Sequence, residues 1–335
     1  MAMLESIWFL LWGILWAVYF MLGGFDLGVG ILSPFVGKSE AEKNALLGSI
    51  GPFWDGNEVW LITAGGVTFA AFPAAYATLF SAFYTPLMFV LFGLIVRAVS
   101  IEFRNRRESS SWRGLADAGV LVGSFLPALL FGVAFANIFK GIPIDGDGVF
   151  QGNLLTLLNP YGLAGGLFFL ALFLVHGALW IIHRSTGVTR ERSRSLARFL
   201  WLPLTLLAVI FLFLTAFYSR LWDNYTTRPI LLVIPLLAVA ALLSMRYLMA
   251  KALWGRALLS SFAVIFFSVL FGVVGLYPYL LPSTLDGAYS LSIRNAASSP
   301  STLAIMLVVA LIFVPVVIIY QAWVYRLFLK EGSGS

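Results

Sequence analysis

The 335-residue sequence is 61% apolar and only 11% charged, against roughly 25% charged in soluble domains, which excludes an ordinary water-soluble protein. A mean hydropathy of +0.95, with 30 Phe, 12 Tyr and 11 Trp, fits a chain whose outer surface faces lipid. The absence of Cys excludes disulfides, iron–sulfur clusters and thiolate metal sites, and the net charge of +6 sits in short gaps between apolar runs, a topology signal rather than a nucleic-acid footprint.

A helix crosses the hydrocarbon core with about 20 apolar residues. Runs of that kind fall at 7–32, 53–71, 78–102, 117–137, 160–183, 199–219, 229–249, 258–280 and 301–328, predicting nine transmembrane helices. The first lacks a basic leader and a small-residue cleavage site and contains Asp26, so it reads as a retained span. Asp26 lies in Gly23-Gly-Phe-Asp-Leu-Gly-Val-Gly30, about 28 Å along the helix at ~1.5 Å per residue, near the cytoplasmic edge. The glycines around it allow another helix to approach closely, so Asp26 should face protein. The second run is the weakest, because Gly51-Pro-Phe-Trp-Asp-Gly-Asn-Glu-Val-Trp60 opens it with Asp55, Asn57 and Glu58. Asp55 and Glu58 share a helix face, where acids suit the positive helix end. Two carboxylates, an Asn, Trp54 and Trp60 exceed what a cap needs, and clustered carboxylates in low dielectric hold protons more tightly. A proton route is the sharper reading, and capping the plainer one.

The third run ends with Glu102 and Arg106, in the favourable i,i+4 order for a surface salt bridge. Arg97, deeper in that run, is expected to snorkel to the headgroups. After the fourth run, Ile142-Pro-Ile-Asp-Gly-Asp-Gly148 reads as a turn, since it lacks the downstream acidic ligand of a calcium loop. His176 and His183 lie on similar faces of the fifth run, and two histidines are too few for several haems or a histidine-rich metal centre. Pro86, Pro127, Pro203, Pro235 and Pro315 fall inside apolar runs and should kink them. Residues 1–330 read as a single integral-membrane domain, and 331–335, ending in Gly-Ser-Gly-Ser, as a tail or linker.

Basic residues test the count. Lys38 and Lys43, Arg104 to Arg113, Arg184 to Arg198, Arg246 to Arg256, and Arg326 with Lys330 fall in alternate gaps and the tail, and together hold most of the 21 basic residues. Cytoplasmic loops carry such an excess. Nine crossings then place the N-terminus outside and the C-terminus in the cytoplasm.

The stretches Gly24-Phe-Asp-Leu-Gly-Val-Gly30 and Gly51 to Gly66 closely resemble subunit II of the bacterial cytochrome bd quinol oxidases. The match continues through Gly132-Val-Ala-Phe-Ala-Asn137, Leu158-Asn-Pro160, Tyr277-Pro278 and Val314-Pro315 to Ala322-Trp323. The resemblance implies two four-helix bundles plus one peripheral helix, paired with a similarly folded subunit I in the plasma (inner) membrane. In the family, haem b and haem d belong to subunit I, so this chain alone is expected to bind no cofactor, and none of its residues is given a catalytic role. It also leaves room for a quinone bound as a structural lipid and for small single-helix accessory subunits. Matching positions imply a proton pathway containing Asp26 and Asp55, with Glu58 beside them and Glu102 and Arg106 near its entrance. Trp54, Asn57 and Trp60 are read as interface and packing residues.

The leading functional expectation is therefore the non-haem half of a complex that oxidises quinol and reduces oxygen while taking protons from the cytoplasm. Its partners are subunit I and the lipid bilayer, with no nucleic acid. A secondary transporter is the main alternative class, disfavoured because the costly carboxylates gather near one membrane edge rather than at the midplane. A purely structural scaffold is the third.

Overall fold

Apolar chain in lipid must satisfy its own backbone, which favours helices throughout. The structure, a computed structural model, describes residues 2–331. Its helices are α1 (Ala2–Val36), α2 (Glu40–Gly48), α3 (Trp54–Ala71), α4 (Pro73–Ala82), α5 (Tyr84–Phe103), α6 (Ser110–Lys140), α7 (Leu154–Leu157), α8 (Pro160–Arg184), α9 (Gly187–Tyr218), α10 (Trp222–Thr227), α11 (Val233–Ala250), α12 (Trp254–Leu276) and α13 (Pro300–Glu331). Between the last two helices, β1 (Tyr279–Leu281) and β2 (Leu291–Ser292) form a small antiparallel pair. The linker expected at 331–335 lies outside the described residues, save Glu331 at the end of α13.

Eight of these helices, α1, α5, α6, α8, α9, α11, α12 and α13, are long and apolar enough to cross a membrane. The protein is an all-α, multi-pass membrane protein. The expected second span is α3, whose 18 residues measure about 27 Å. It stops at Phe72 because Pro73 disfavours helical backbone in the residue before it, and α4 restarts with Pro73 in its first turn. The expected third span at 78–102 is accordingly divided between the end of α4 and α5, with Phe83 at the joint.

Several helices outrun their apolar cores. The fifth gap shrinks to a short link, because α9 begins at Gly187 and carries Arg190, Arg192, Arg194 and Arg198 on its first turns. Two expected proline kinks do not arise. Pro86 and Pro235 each occupy the third position of a helix, α5 and α11, where the missing amide is not needed by the intrahelical ladder. Pro127, Pro203 and Pro315 do lie inside helices, as does Pro34 in α1.

The core centres on α8, which packs against α1, α6, α9 and α12. Helix α1 can cross it at backbone contact because Gly28 meets Gly177: a Cβ on Gly28 would stand 2.0 Å from the Phe173 carbonyl oxygen and 2.9 Å from the Gly177 Cα. The glycines flanking Asp26 thus serve the close approach expected of them. Rings of Trp16, Phe20, Phe131, Phe135 and Phe169 fill the space between α1, α6 and α8 in edge-to-face contacts with centroids 5.1–6.4 Å apart. Away from the basic end, Asp145 closes the 142–148 turn, its Oδ1 accepting from the amides of Val149 at 2.9 Å and Asp147 at 3.0 Å. These bonds, that of Val149 foremost, hold its carboxyl below the usual carboxylate range.

Candidate functional site

Helix α1 carries Asp26 into protein, with the residue 1% exposed and ten positions short of the helix end. It therefore lies deeper in the helix than a span ending at residue 32 implied. Its Oδ2 accepts from Asn57 Nδ2 at 2.7 Å, while its Oδ1 is buried with no hydrogen-bond partner. Asn57, fully buried on α3, uses its own Oδ1 to accept from Tyr325 Oη at 2.8 Å and Gln321 Nε2 at 3.1 Å. Gln321 in turn accepts from Trp60 Nε1 at 2.6 Å. A polar chain thus runs from α1 through α3 to α13, with the Phe53 ring stacked on Tyr325 at 4.4 Å.

Beside it stands an ion pair. Arg97 of α5, 1% exposed, donates from Nη1 to Glu58 Oε1 at 2.8 Å, and its guanidinium lies 5.8 Å from the centre of the Trp54 ring. The expected snorkelling of Arg97 is overturned: a desolvated guanidinium is cheaper to keep beside a carboxylate than unpaired. Its Nε and Nη2 are buried without partners.

The structure separates Asp55 from this cluster in direct contact. At ~3.6 residues per turn, Asp55 and Asn57 point to nearly opposite sides of α3. The helix that turns Asn57 inward leaves Asp55 exposed in its first turn. Glu102 and Arg106 are both exposed, and the expected ion pair between them is absent among the described residues. Helix α5 ends at Phe103, and the tighter 3-10 turn of Arg104–Arg106 removes the i,i+4 register on which that pair depended.

Sequence reasoning passed over the residue that does organise this end. Arg104, 1% exposed, donates to Asp117 at 2.6 Å, Asn44 at 2.7 Å and Glu40 at 2.8 Å. Lys43 adds a 2.7 Å contact to the same Asp117. Helix α2, begun by a Ser39–Glu42 capping box, is thereby fastened to α5 and α6. A carboxylate at the very start of the fourth apolar run was the available signal. Gln321 and Tyr325 were also missed; four residues apart in an otherwise apolar helix, they mark one polar stripe.

His176 offers no free ring nitrogen to a metal. His176 is fully buried with both ring nitrogens engaged, Nδ1 with Ser261 Oγ at 2.7 Å and Nε2 with the Met21 carbonyl at 2.9 Å. The ring is packed against Phe262 and Phe25. His183 is exposed at the end of α8.

The model of the cytochrome bd terminal oxidase subunit II family matches residues 4–328. The chain belongs to that family. It is 34% identical to cytochrome bd-I ubiquinol oxidase subunit 2 of Escherichia coli K12, over 96% of this chain and 93% of the relative. It is 35% identical to cytochrome bd ubiquinol oxidase subunit 2 of Bacillus subtilis 168, over 99% and 98%. The fold is similar to a chain of the bd oxidase from Geobacillus thermodenitrificans, with a TM-score of 0.79 at 17% identity over 98% of this chain and 99% of that one. The resemblance read from the Asp26 and Asp55 stretches thus extends through the whole membrane-spanning part of this subunit II family member.

Proposed function

We propose that the chain is the haem-free subunit of a cytochrome bd quinol:oxygen oxidoreductase and takes part in proton uptake from the cytoplasm. The observation that carries the proton role is Asp26, a buried carboxyl with one oxygen held by Asn57 and the other without a partner, and the Arg97–Glu58 pair nearby on the adjoining helices. Buried ionisable groups are expensive within a membrane, and those kept there often mark functional sites, proton relays among them. Asp55, one turn before Glu58 and open to the outside of the chain, is suited to hand protons inward, and exposed Glu102 and Arg106 stand where a partner subunit can complete an entrance. Trp54 packs on Arg97, and Trp60 holds Gln321.

The alternation of basic ends supports nine crossings in the inner membrane, α3 included, with the N-terminus outside and the C-terminus cytoplasmic. Family membership supports two four-helix bundles plus a peripheral helix, in one integral-membrane domain. The same likeness supports a partner subunit I bearing haem b and haem d, with single-helix accessory subunits beside it and quinol and oxygen as the substrates of the complex. A quinone kept as a structural lipid would suit the apolar groove between α1, α3, α5 and α6, lined by Trp12, Trp16, Phe69, Phe83 and Phe131.

The test is to purify the tagged chain from its native membrane and record its absorption spectrum and quinol-dependent oxygen uptake. Haem b and chlorin bands should accompany it, with oxygen uptake on addition of quinol. A colourless single chain would remove the assignment.

A further inference from the structure

Away from the Asp26 cluster, α9, α11 and α12 bring together Arg198, Arg246 and Arg256, cations that no acid answers among the described residues. The guanidiniums of Arg194 and Arg198 lie 5.3 and 5.1 Å from the centre of the same ring, that of Trp254. Arg246 lies 5.5 Å from the centre of the Trp201 ring, with its Nη1 3.4 Å from the Arg198 carbonyl. Arg194 pairs with Glu191 one turn away. Among the described residues, Arg198, Arg246, Lys251 and Arg256 have no carboxylate within ion-pair distance. The sequence explains why: apart from Asp223 it has no acid between Glu191 and Asp286, and Asp223 lies on α10, beyond the far end of α9.

Beneath these cations the surface becomes apolar. Trp201 Nε1 donates to the Leu242 carbonyl at 3.0 Å, tying α9 to α11 at the level of the arginines. Further along, the helices part over a shallow groove lined by Leu204, Ala208 and Leu212 of α9, Ala238 and Leu242 of α11, and Phe271 of α12. Leu202, Leu206, Val209 and Phe213 extend the exposed apolar face on α9. Arginine stacked on an indole keeps a planar fork of donors that matches a phosphodiester in two-point contact. Cations held side by side without acids repel one another until an anion joins them.

We infer that this face binds a phospholipid of net negative headgroup, its phosphate held by Arg198 and Arg246 and one acyl chain lying in the α9–α11 groove. A zwitterionic lipid brings its own cation to the same arginines and is disfavoured, whereas a headgroup that is anionic overall meets only attraction. The groove accounts for the acyl chain, which a free phosphate lacks.

Native mass spectrometry of the purified complex, titrated with dioctanoyl phosphatidylglycerol, dioctanoyl phosphatidylcholine or inorganic phosphate, tests this. Phosphatidylglycerol should bind about tenfold or more tightly than phosphatidylcholine, as expected for two juxtamembrane cations. In Arg198→Gln/Arg246→Gln that preference should shrink to about threefold or less. Ala238→Trp, which fills the groove without touching charge, should weaken phosphatidylglycerol as well, and Arg107→Gln, at a different basic turn, should change nothing. Size-exclusion elution and haem content confirm that each variant is assembled. Equal binding of the two lipids by the unaltered complex would overturn the inference. So would a preference that survives the double substitution, or displacement of phosphatidylglycerol by inorganic phosphate together with indifference to Ala238→Trp. A protein segment cross-linked into the groove in place of lipid would overturn it too.

Discussion

Replacing Asp26 with Asn separates a proton carrier from a packing residue. Asn57 Nδ2 donates to Asp26 across 2.7 Å, and a carboxamide can present its own oxygen at the same place, so Asp26→Asn keeps the bond. A hydrogen bond to a charged group contributes about 1.5–3 kcal/mol and a neutral one about 0.5–1.5 kcal/mol, so an ionised Asp26 would lose about 1 kcal/mol of this contact. Against that, the amide spares the burial of an ion, which costs several kcal/mol when incompletely paired. The terms oppose, and the thermal midpoint of the complex should move by less than about 4 °C. Turnover should respond differently. If protons pass through this carboxyl, its loss should slow quinol-driven oxygen uptake at least tenfold per haem, about 1.4 kcal/mol in the barrier. Asp26→Leu is the structural control: it leaves Asn57 Nδ2 only the Leu22 carbonyl at 3.3 Å and should cost about 1–3 kcal/mol of stability. Oxygen electrode rates normalised to the chlorin band, beside thermal melts, read both. Full turnover per haem in Asp26→Asn would refute the relay.

Asp55→Asn alters an exposed side chain, so stability should stay within about 0.5 kcal/mol while turnover per haem falls; unchanged turnover removes Asp55 from the path. His176→Ala should leave the haem bands per complex intact and lower stability by about 2–4 kcal/mol through the cavity left between Phe25 and Phe262; loss of one haem band in an assembled complex would contradict the engaged ring nitrogens. For orientation, Asp147→Cys should react with an impermeant thiol reagent in intact cells and Arg107→Cys only after permeabilisation, and the reverse pattern would invert the topology. In α2, the Glu42 carboxyl is held below its usual range by the Lys38 amide first, then by Arg192 and Ser39. A lowered folded value gives stability that is present above the unfolded value, about 4.3, and is lost as pH falls through the folded one. Hydrogen-exchange protection over residues 38–48, taken relative to the intrinsic rate at each pH, should therefore fall only in acid. An identical acid profile in Glu42→Gln would assign that loosening to another group.

What could be seen in advance follows from what one-dimensional patterns encode. Length and hydropathy place every long helix, because a lipid-facing run has no other way to satisfy its backbone. They misplace the ends, since α9 is helical through Arg190 to Arg198 and a charge count reads those residues as a gap. The break at Phe72 was written in Pro73 and the cost of burying Arg97 in its position. Yet naming Glu58 as its partner required knowing that α3 and α5 lie side by side. The resemblance drew attention to Asp26 and Asp55 together, and only the rotation of α3 shows that Asn57 stands between Asp26 and the last helix.

That rotation bears on why so many polar groups are gathered around one carboxyl. A single cap would need no Gln321 or Tyr325, residues more than 260 positions away along the chain, and α13 is otherwise an apolar helix with its sides largely exposed. The two polar residues of α13 that reach inward both end on Asn57, so the helix docks at the point where α3 holds Asp26. If these contacts served docking alone, apolar residues of similar size would do as well, since buried polar pairs add little net stability over good packing. If Asp26 carries protons as proposed, the polar version supplies donors and acceptors, Asn57, Gln321 and Tyr325, that can rearrange around it. Anchoring α13 through that same Asn ties the position of the last helix to the carboxyl that the first helix brings into the bundle.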